Sequence, residues 1–189
     1  MIVARTGRIE GTAPADFAYS HELGLVSRIV LRVTRRLRAR YAAGGITDDR
    51  GPLLDVGCGD GYFIRFAGLE ECRGFDSALG DEWCDLDRFA DGYFSYVTML
   101  AVIEHLAVPE VVRERLWRVL RPGGRLIMTT PTRKASGWIR LYAPRTLEEH
   151  KVYYDLASMN GLLDGKYSLV DYRRFLFGMN QVFSYQRLP

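Results

Sequence analysis

Three observations predict an α/β fold built on a doubly wound, mostly parallel sheet. The apolar run Leu53-Leu54-Asp55-Val56 ends on Gly57-Cys58-Gly59-Asp60-Gly61 and passes into a helical pattern from Tyr62; this is how a buried strand turning tightly into a helix reads in sequence. Strand-like and helix-like stretches then alternate as far as Pro131, the pattern of parallel strands joined by crossover helices. Finally, Lys166 to Phe177 and Val182 to Arg187 read as two strands joined at Gly178-Met179-Asn180, a C-terminal antiparallel hairpin. With the hairpin the sheet is expected to have seven strands.

The 189 residues, 48% hydrophobic, suffice for one well-buried domain, and 1–189 is read as a single unit. A net charge of +3 is too small to imply nucleic acid by itself. Cys58, Cys72 and Cys84 are odd in number and lack metal-ligand spacing, which argues against a disulfide framework or a metal site and for a reducing cytoplasm. Arg5 and Arg8 are followed by Glu10-Gly11-Thr12 rather than an apolar segment, so no secretory signal peptide is expected. No run approaches the roughly 20 apolar residues that cross a bilayer.

Taken in order, residues 1–15 read as a flexible lead-in and Phe17-Ala18-Tyr19-Ser20-His21 as a short aromatic piece. Leu25, Ile29, Val33, Leu37 and Tyr41 then repeat every four residues, drawing an apolar stripe along a helix closed by Gly44-Gly45. Six arginines and no acid are interleaved with that stripe. The stripe is expected to pack on the domain's own sheet with the arginines solvated. The alternative is an anionic partner, either a lipid surface met peripherally or an RNA backbone.

The central strand and glycine loop lead into a helix of about two turns from Tyr62 to Ala67, and Cys72 to Phe75 is a short second strand ending at Asp76. Only eight residues separate Asp76 from Asp85, so Trp83-Cys84-Asp85-Leu86 is read as a remnant third strand. Tyr93 to Leu100, rich in aromatic and β-branched residues, is a buried fourth strand leading to Ile103-Glu104-His105-Leu106. Pro109 opens a helix that carries Val112, Leu116, Val119 and Leu120 on one face. Arg121-Pro122-Gly123-Gly124 stops it, and Arg125 to Thr130 is a fifth strand. Ser136 to Tyr142 and Thr146 to Asn160 read as two further short helices.

The loop's spacing restricts its ligand. A dinucleotide fingerprint needs G-x-G-x-x-G, whereas the spacing here is G-x-G-x-G with Tyr62 where the third glycine would fall. A phosphate loop would end in Gly-Lys-Ser/Thr, which is absent. Asp60, at the start of the helix, would repel a pyrophosphate from the positive helix end. Asp76 lies about twenty residues past the first glycine, where a carboxylate at the neighbouring strand tip meets a ribose edge. A ligand with a ribose and no phosphate fits best.

These residues resemble the class I S-adenosylmethionine-dependent methyltransferases. Leu53 to Gly61 is similar to the family's first motif, Asp76 to the acid ending its second strand, Ile103 to Leu106 to a recurring segment after the fourth strand, and Arg118 to Leu126 to the Pro-Gly-Gly turn before the fifth. The matches fall in the family's order over residues 51–131. The resemblance implies a Rossmann-like sheet and S-adenosylmethionine as the methyl donor. It further implies that Asp55 and the backbone of Gly57, Cys58 and Gly59 hold the methionine end. Asp76, with Ser77 beside it, would take the ribose hydroxyls, Asp85 and Leu86 would flank the adenine, and Met99 and Leu100 would line the floor. Residues 51–131 would then form the donor-binding core, 1–45 an N-terminal lid and helix, and 132–189 the acceptor side. The short span to Asp85 thins one wall of the adenine pocket, and Ser95 stands where the family usually has an acid.

For the acceptor, the sequence offers His105 as a general base and Tyr19, His150 and Tyr153 as acceptor-side groups. An Asn/Asp-Pro-Pro-aromatic turn of nucleic-acid amino methylation is replaced by Met99-Leu100-Ala101-Val102, which disfavours nucleic acid. The acceptor is therefore expected to be a small molecule or a glycan- or lipid-linked intermediate, methylated at oxygen. The block from Glu149 to Asp155 and Gly178 to Gln181 also resembles small methyltransferases of surface-glycan biosynthesis. The alternatives are an RNA methyltransferase using the basic helix and a catalytically silent donor-binding protein.

Overall fold

Alternating apolar side chains along the central strands feed two separate cores, one on each face of the sheet. The computed structural model describes residues 3–5, 8–9, 25–47, 51–137 and 152–189. Strands β1 (Val3–Arg5), β2 (Arg8–Ile9), β3 (Leu53–Val56), β4 (Glu71–Phe75), β5 (Phe94–Leu100), β6 (Leu120–Pro131), β7 (Tyr167–Phe175) and β8 (Asn180–Arg187) form one sheet. Their spatial order is β2-β1-β4-β3-β5-β6-β8-β7. β4, β3, β5 and β6 are mutually parallel, and β6, β8 and β7 run antiparallel. The chain goes from β3 to β4 on one side and returns to β5 on the other, so the carboxyl end of β3 lies at the topological switch point where ligands bind in such sheets.

Leu53, Tyr96 and Ile127 face the core that also holds Ala39 and Ala42 of helix α1 (Leu25–Ala43) and Phe63 and Ile64 of helix α2 (Tyr62–Ala67). Leu54, Val97, Leu126 and Met128 face the opposite core. That side is covered by a π-type turn, Val112–Leu116, running into helix α3 (Trp117–Val119), and by helix α4 (Leu156–Leu163). Gly45 ends α1 so close to the sheet that a Cβ there would come within 3.0 Å of Ile127.

The doubly wound core and the C-terminal hairpin are as the sequence predicts, but among the described residues the strands number eight. The lead-in contributes β1 and β2, a short antiparallel hairpin on β4. It covers the edge where a third parallel strand would lie, an edge that otherwise exposes unpaired backbone groups. The expected remnant third strand is instead a 3-10 helix, Trp83–Arg88. Eight residues are too few for a crossover, and Trp83 packs locally on Phe75 with ring centroids 4.9 Å apart. β6 begins at Leu120, earlier than expected, because Leu120 pairs with Phe94 across an irregularity in the ladder. The helix expected to end at Asn160 spans Leu156–Leu163, capped by Asp155, whose side chain accepts from Ser158 N.

Helix α1 divides the expectation made for it. Leu37 and Tyr41 do pack on the sheet, Tyr41 stacking on Phe175 at 4.3 Å. The earlier members of the same stripe, Leu25, Ile29 and Val33, are exposed.

Candidate active site

The loop after β3 is held in place by the end of β4. Gly57 N donates to Phe75 O at 2.7 Å, and Gly59 N donates to Asp76 Oδ2 at 2.8 Å. Asp76 N in turn donates to Asp81 Oδ2 at 2.9 Å. Gly57, Gly59 and Gly61 all have positive φ, at 72, 52 and 72°. Gly57 is doubly constrained, because a Cβ there would lie 2.2 Å from Val102 Cγ2. We expect Gly57→Ala to lower the midpoint of thermal unfolding by several degrees and to weaken donor binding. Adding Val102→Ala should recover only part of the loss, because the backbone strain of a left-handed alanine, about 1 kcal/mol or more, remains. Thermal melts of the single and double variants check this.

Asp60 does not face an open anion site. Its Oδ1 accepts from Tyr62 N at 3.1 Å, and its carboxylate is ion-paired with Arg35 of α1 and, at 3.7 Å, with Arg65. The Arg35 guanidinium also lies 4.2 Å from the Tyr62 ring centroid. The start of α2 therefore already carries an anion, the Asp60 carboxylate, paired with two arginines.

Three acids converge on the loop. Asp55, fully buried, accepts from Thr98 Oγ1 at 2.7 Å across the paired strands β3 and β5. Burial pushes its carboxyl up to about 7, the Thr98 hydrogen bond opposes that, and the nearby Asp76 charge adds to it. Asp55, Asp76 and Asp81 together, after burial itself, push the Cys58 thiol up, so this cysteine is a buried thiol rather than a nucleophile. The loop is thus lined by acids.

Across the loop, β5 ends at Leu100 and the chain turns sharply at Ala101, whose φ is 61°. Such a conformation in a non-glycine residue is strained and concentrates at functional sites. Ala101 N donates to Thr129 O at 2.8 Å, fixing the turn against β6. The next turn, Ile103–His105, carries Glu104, 1% exposed, and both of its carboxylate oxygens lack a hydrogen-bond partner of normal geometry. Burial pushes the Glu104 carboxyl up, while Arg38, His105 and Thr130, all close enough to act on it, oppose the shift. Tyr153 is also held above its ordinary range, by burial and then by the Glu104 charge.

The structure therefore brings Asp55, Gly57, Cys58, Gly59 and Asp76 together at one sheet edge, with Met99 buried and Leu100 half-buried behind them. Ser77 is exposed at the start of the turn Ser77–Leu79. Leu86 is fully buried. Asp85 is engaged locally, accepting from Glu82 N at 2.8 Å and pairing with Arg88 at 3.5 Å. His105 is half-buried beside Glu104 and Tyr153 close to it. Tyr19 and His150 lie outside the described residues.

Sequence reasoning missed Asp81, Glu104, Thr98 and the Arg35 contact. Glu104 was within reach, since an acid beside a histidine directly after a buried strand was already marked out by its motif. Asp81 and Arg35 act through contacts that no sequence spacing reveals.

A strand–glycine-loop–helix at the switch point, an acid at the tip of the adjacent strand and an acid-lined cradle are the features of a nucleoside-binding α/β enzyme. The family model described as "Methyltransferase domain" matches residues 27–166, and the chain belongs to that family; it is a class I S-adenosylmethionine-dependent methyltransferase. No curated protein matches the sequence. Among solved structures, an S-adenosylmethionine-dependent methyltransferase from Archaeoglobus fulgidus is similar at TM-score 0.62 and 15% identity, over 82% of this chain and 93% of that one. A geranyl diphosphate methyltransferase in complex with S-adenosylmethionine is similar at TM-score 0.59 and 14% identity, over 80% and 85%. The cyclase SpnF is similar at TM-score 0.61 and 14% identity, over 81% and 80%. At these identities the likeness is one of fold, and the chemistry must be argued from the site.

Proposed function

We propose that this methyltransferase acts on an oxygen of a small-molecule or glycan- or lipid-linked acceptor, by in-line displacement, in the cytoplasm. The observation that carries the donor side is the convergence of Asp55, Asp76 and Asp81 on a glycine loop whose following helix already carries the Asp60 carboxylate at its start. S-adenosylmethionine carries a sulfonium, an ammonium and a ribose diol and no phosphate, so its charges suit this acid-lined cradle. When bound, it supplies a methyl group already activated by the sulfonium. Asp55 and the backbone of Gly57, Cys58 and Gly59 are assigned to the methionine end, and Asp76, with Ser77, to the ribose. Leu86 and Asp85 are assigned to the adenine edge, and Met99 and Leu100 to the floor. With the leaving group activated, much of the rate is expected from holding the acceptor in line.

On the acceptor side, His105 is assigned as the group that takes the hydroxyl proton, with Tyr153, Tyr19 and His150 around the acceptor. Glu104, buried next to His105 and within the influence of Arg38 and Thr130, is assigned as its positioning residue. Arg38 is shared between Glu104 and the hairpin, its Nε donating to Asn180 Oδ1 at 3.1 Å. We expect Glu104→Gln to lower turnover about tenfold or more, to shift the pH profile and to leave donor binding unchanged. A purely structural Glu104 would instead give full activity with a more stable protein, because the variant sheds the cost of burying a carboxyl group. Steady-state rates across pH 6 to 9, with thermal melts alongside, separate the two.

A methyl-release assay over matched hydroxyl, carboxyl and amine acceptors tests the acceptor assignment. Turnover confined to oxygen acceptors is expected, and a preference for amines overturns it. The whole chain, 1–189, is read as one catalytic unit.

A further inference from the structure

Among the described residues nothing packs on the exposed half of helix α1, and its composition is unusual for a solvated face. Leu25 is 72% exposed, Ile29 51% and Val33 48%, although in sequence they continue the stripe that buries Leu37 and Tyr41. Arg32, Arg36 and Arg40 are exposed as well. At 3.6 residues per turn these six side chains fall within an arc of about 100°. The apolar three occupy the N-terminal half of that arc and the guanidiniums extend to its C-terminal half. Nowhere between Leu25 and Ala43 is there an acid.

We infer that this face of α1 docks on an anionic lipid bilayer, with Leu25, Ile29 and Val33 entering the headgroup boundary and Arg32, Arg36 and Arg40 meeting lipid phosphates. Charge complementarity selects this occupant: an all-basic helix face with an apolar edge suits a surface that is both anionic and apolar just beneath its charges. No helix among the described residues is long and apolar enough to cross a membrane, so the contact is peripheral. The inner face of the same helix grips the active site, Arg35 pairing with Asp60 of the donor loop and Arg38 with Asn180 of the hairpin. Since a helix is about 10–12 Å across, docking holds the donor loop close to the headgroup plane, where a lipid-linked acceptor presents its polar end. The docking itself does not depend on which acceptor is methylated.

The test is co-sedimentation of the full chain with vesicles of phosphatidylcholine alone or with added phosphatidylglycerol, at low and high salt. Binding is expected only to the phosphatidylglycerol vesicles and should weaken as salt rises. Ile29→Glu with Val33→Glu should lower partitioning by roughly a hundredfold, at about tenfold per apolar side chain withdrawn. Arg32→Gln with Arg36→Gln should lower it by roughly fivefold per charge removed. Calorimetric binding of S-adenosylhomocysteine should be unchanged in both double variants, which shows that they are folded. Absence of vesicle binding, equal binding to neutral vesicles, or a dimer of the wild type that Ile29→Glu disperses overturns the inference.

Discussion

Asp76→Ala is expected to abolish measurable binding of S-adenosylmethionine and S-adenosylhomocysteine in calorimetry, a loss of roughly a hundredfold or more. Hydrogen bonds to an ionised partner contribute about 1.5–3 kcal/mol each, and a ribose diol can donate two to one carboxylate. The loss is compounded within the protein, because Asp76 Oδ2 also receives the Gly59 amide that fixes the loop. The loop would still be anchored by Gly57 N on Phe75 O, so the fold should survive and the melting temperature should fall little. Asp76→Asn keeps the acceptor oxygen for Gly59 but loses the charge, and should bind with an intermediate affinity. Affinity within threefold of wild type in the alanine variant would mean that Asp76 only finishes a strand.

Asp55→Asn should make the ligand-free protein more stable at pH 8 and a poorer donor binder. The folded carboxyl is pushed up to about 7 from an ordinary 3.8, chiefly by burial. Its neutral form is therefore favoured by folding. The stabilisation this gives is complete below pH ~4 and is lost as pH rises through about 7, a difference on the order of 4 kcal/mol. Asparagine never ionises, so the variant should lead the wild type at pH 8 and the two should converge at acid pH, with the Thr98 hydrogen bond kept in both. Denaturant melts at pH 5 and pH 8 read this directly. Donor binding supplies the complementary sign. An ammonium partner favours ionised Asp55, so wild-type affinity should rise with pH through about 7 with proton release, and the variant should be weak and flat. A variant less stable than wild type at pH 8 contradicts the account.

The strand–glycine-loop–helix of the candidate site was legible because it is local in sequence. The strand, the glycine loop and the acid ending the next strand are short-range patterns with a steric cause, and the Asp55 and Asp76 placements follow from them. The edge of the sheet was not legible. The eight residues between Asp76 and Asp85 signalled that a crossover was missing, yet nothing in Val3–Ile9 announced a hairpin, since two strands of three and two residues carry no period to read. The local contacts of Asp85, which closes a turn with Glu82 and Arg88, were equally invisible to spacing. For α1 the periodicity was read correctly, but periodicity cannot say how far a sheet extends beneath a helix, and the stripe is covered only from Leu37 onward, leaving Leu25, Ile29 and Val33 exposed.

The loop at the end of β3 carries the central claim, that this is a cradle for an adenosyl donor without phosphate. Titrating the wild-type protein in a calorimeter with S-adenosylhomocysteine, and in parallel with a dinucleotide and with ATP, tests it most directly. Saturable binding of one S-adenosylhomocysteine per chain, with no heat from either phosphorylated nucleotide, is the predicted result. No binding of S-adenosylhomocysteine, or tighter binding of a phosphorylated nucleotide, would contradict it.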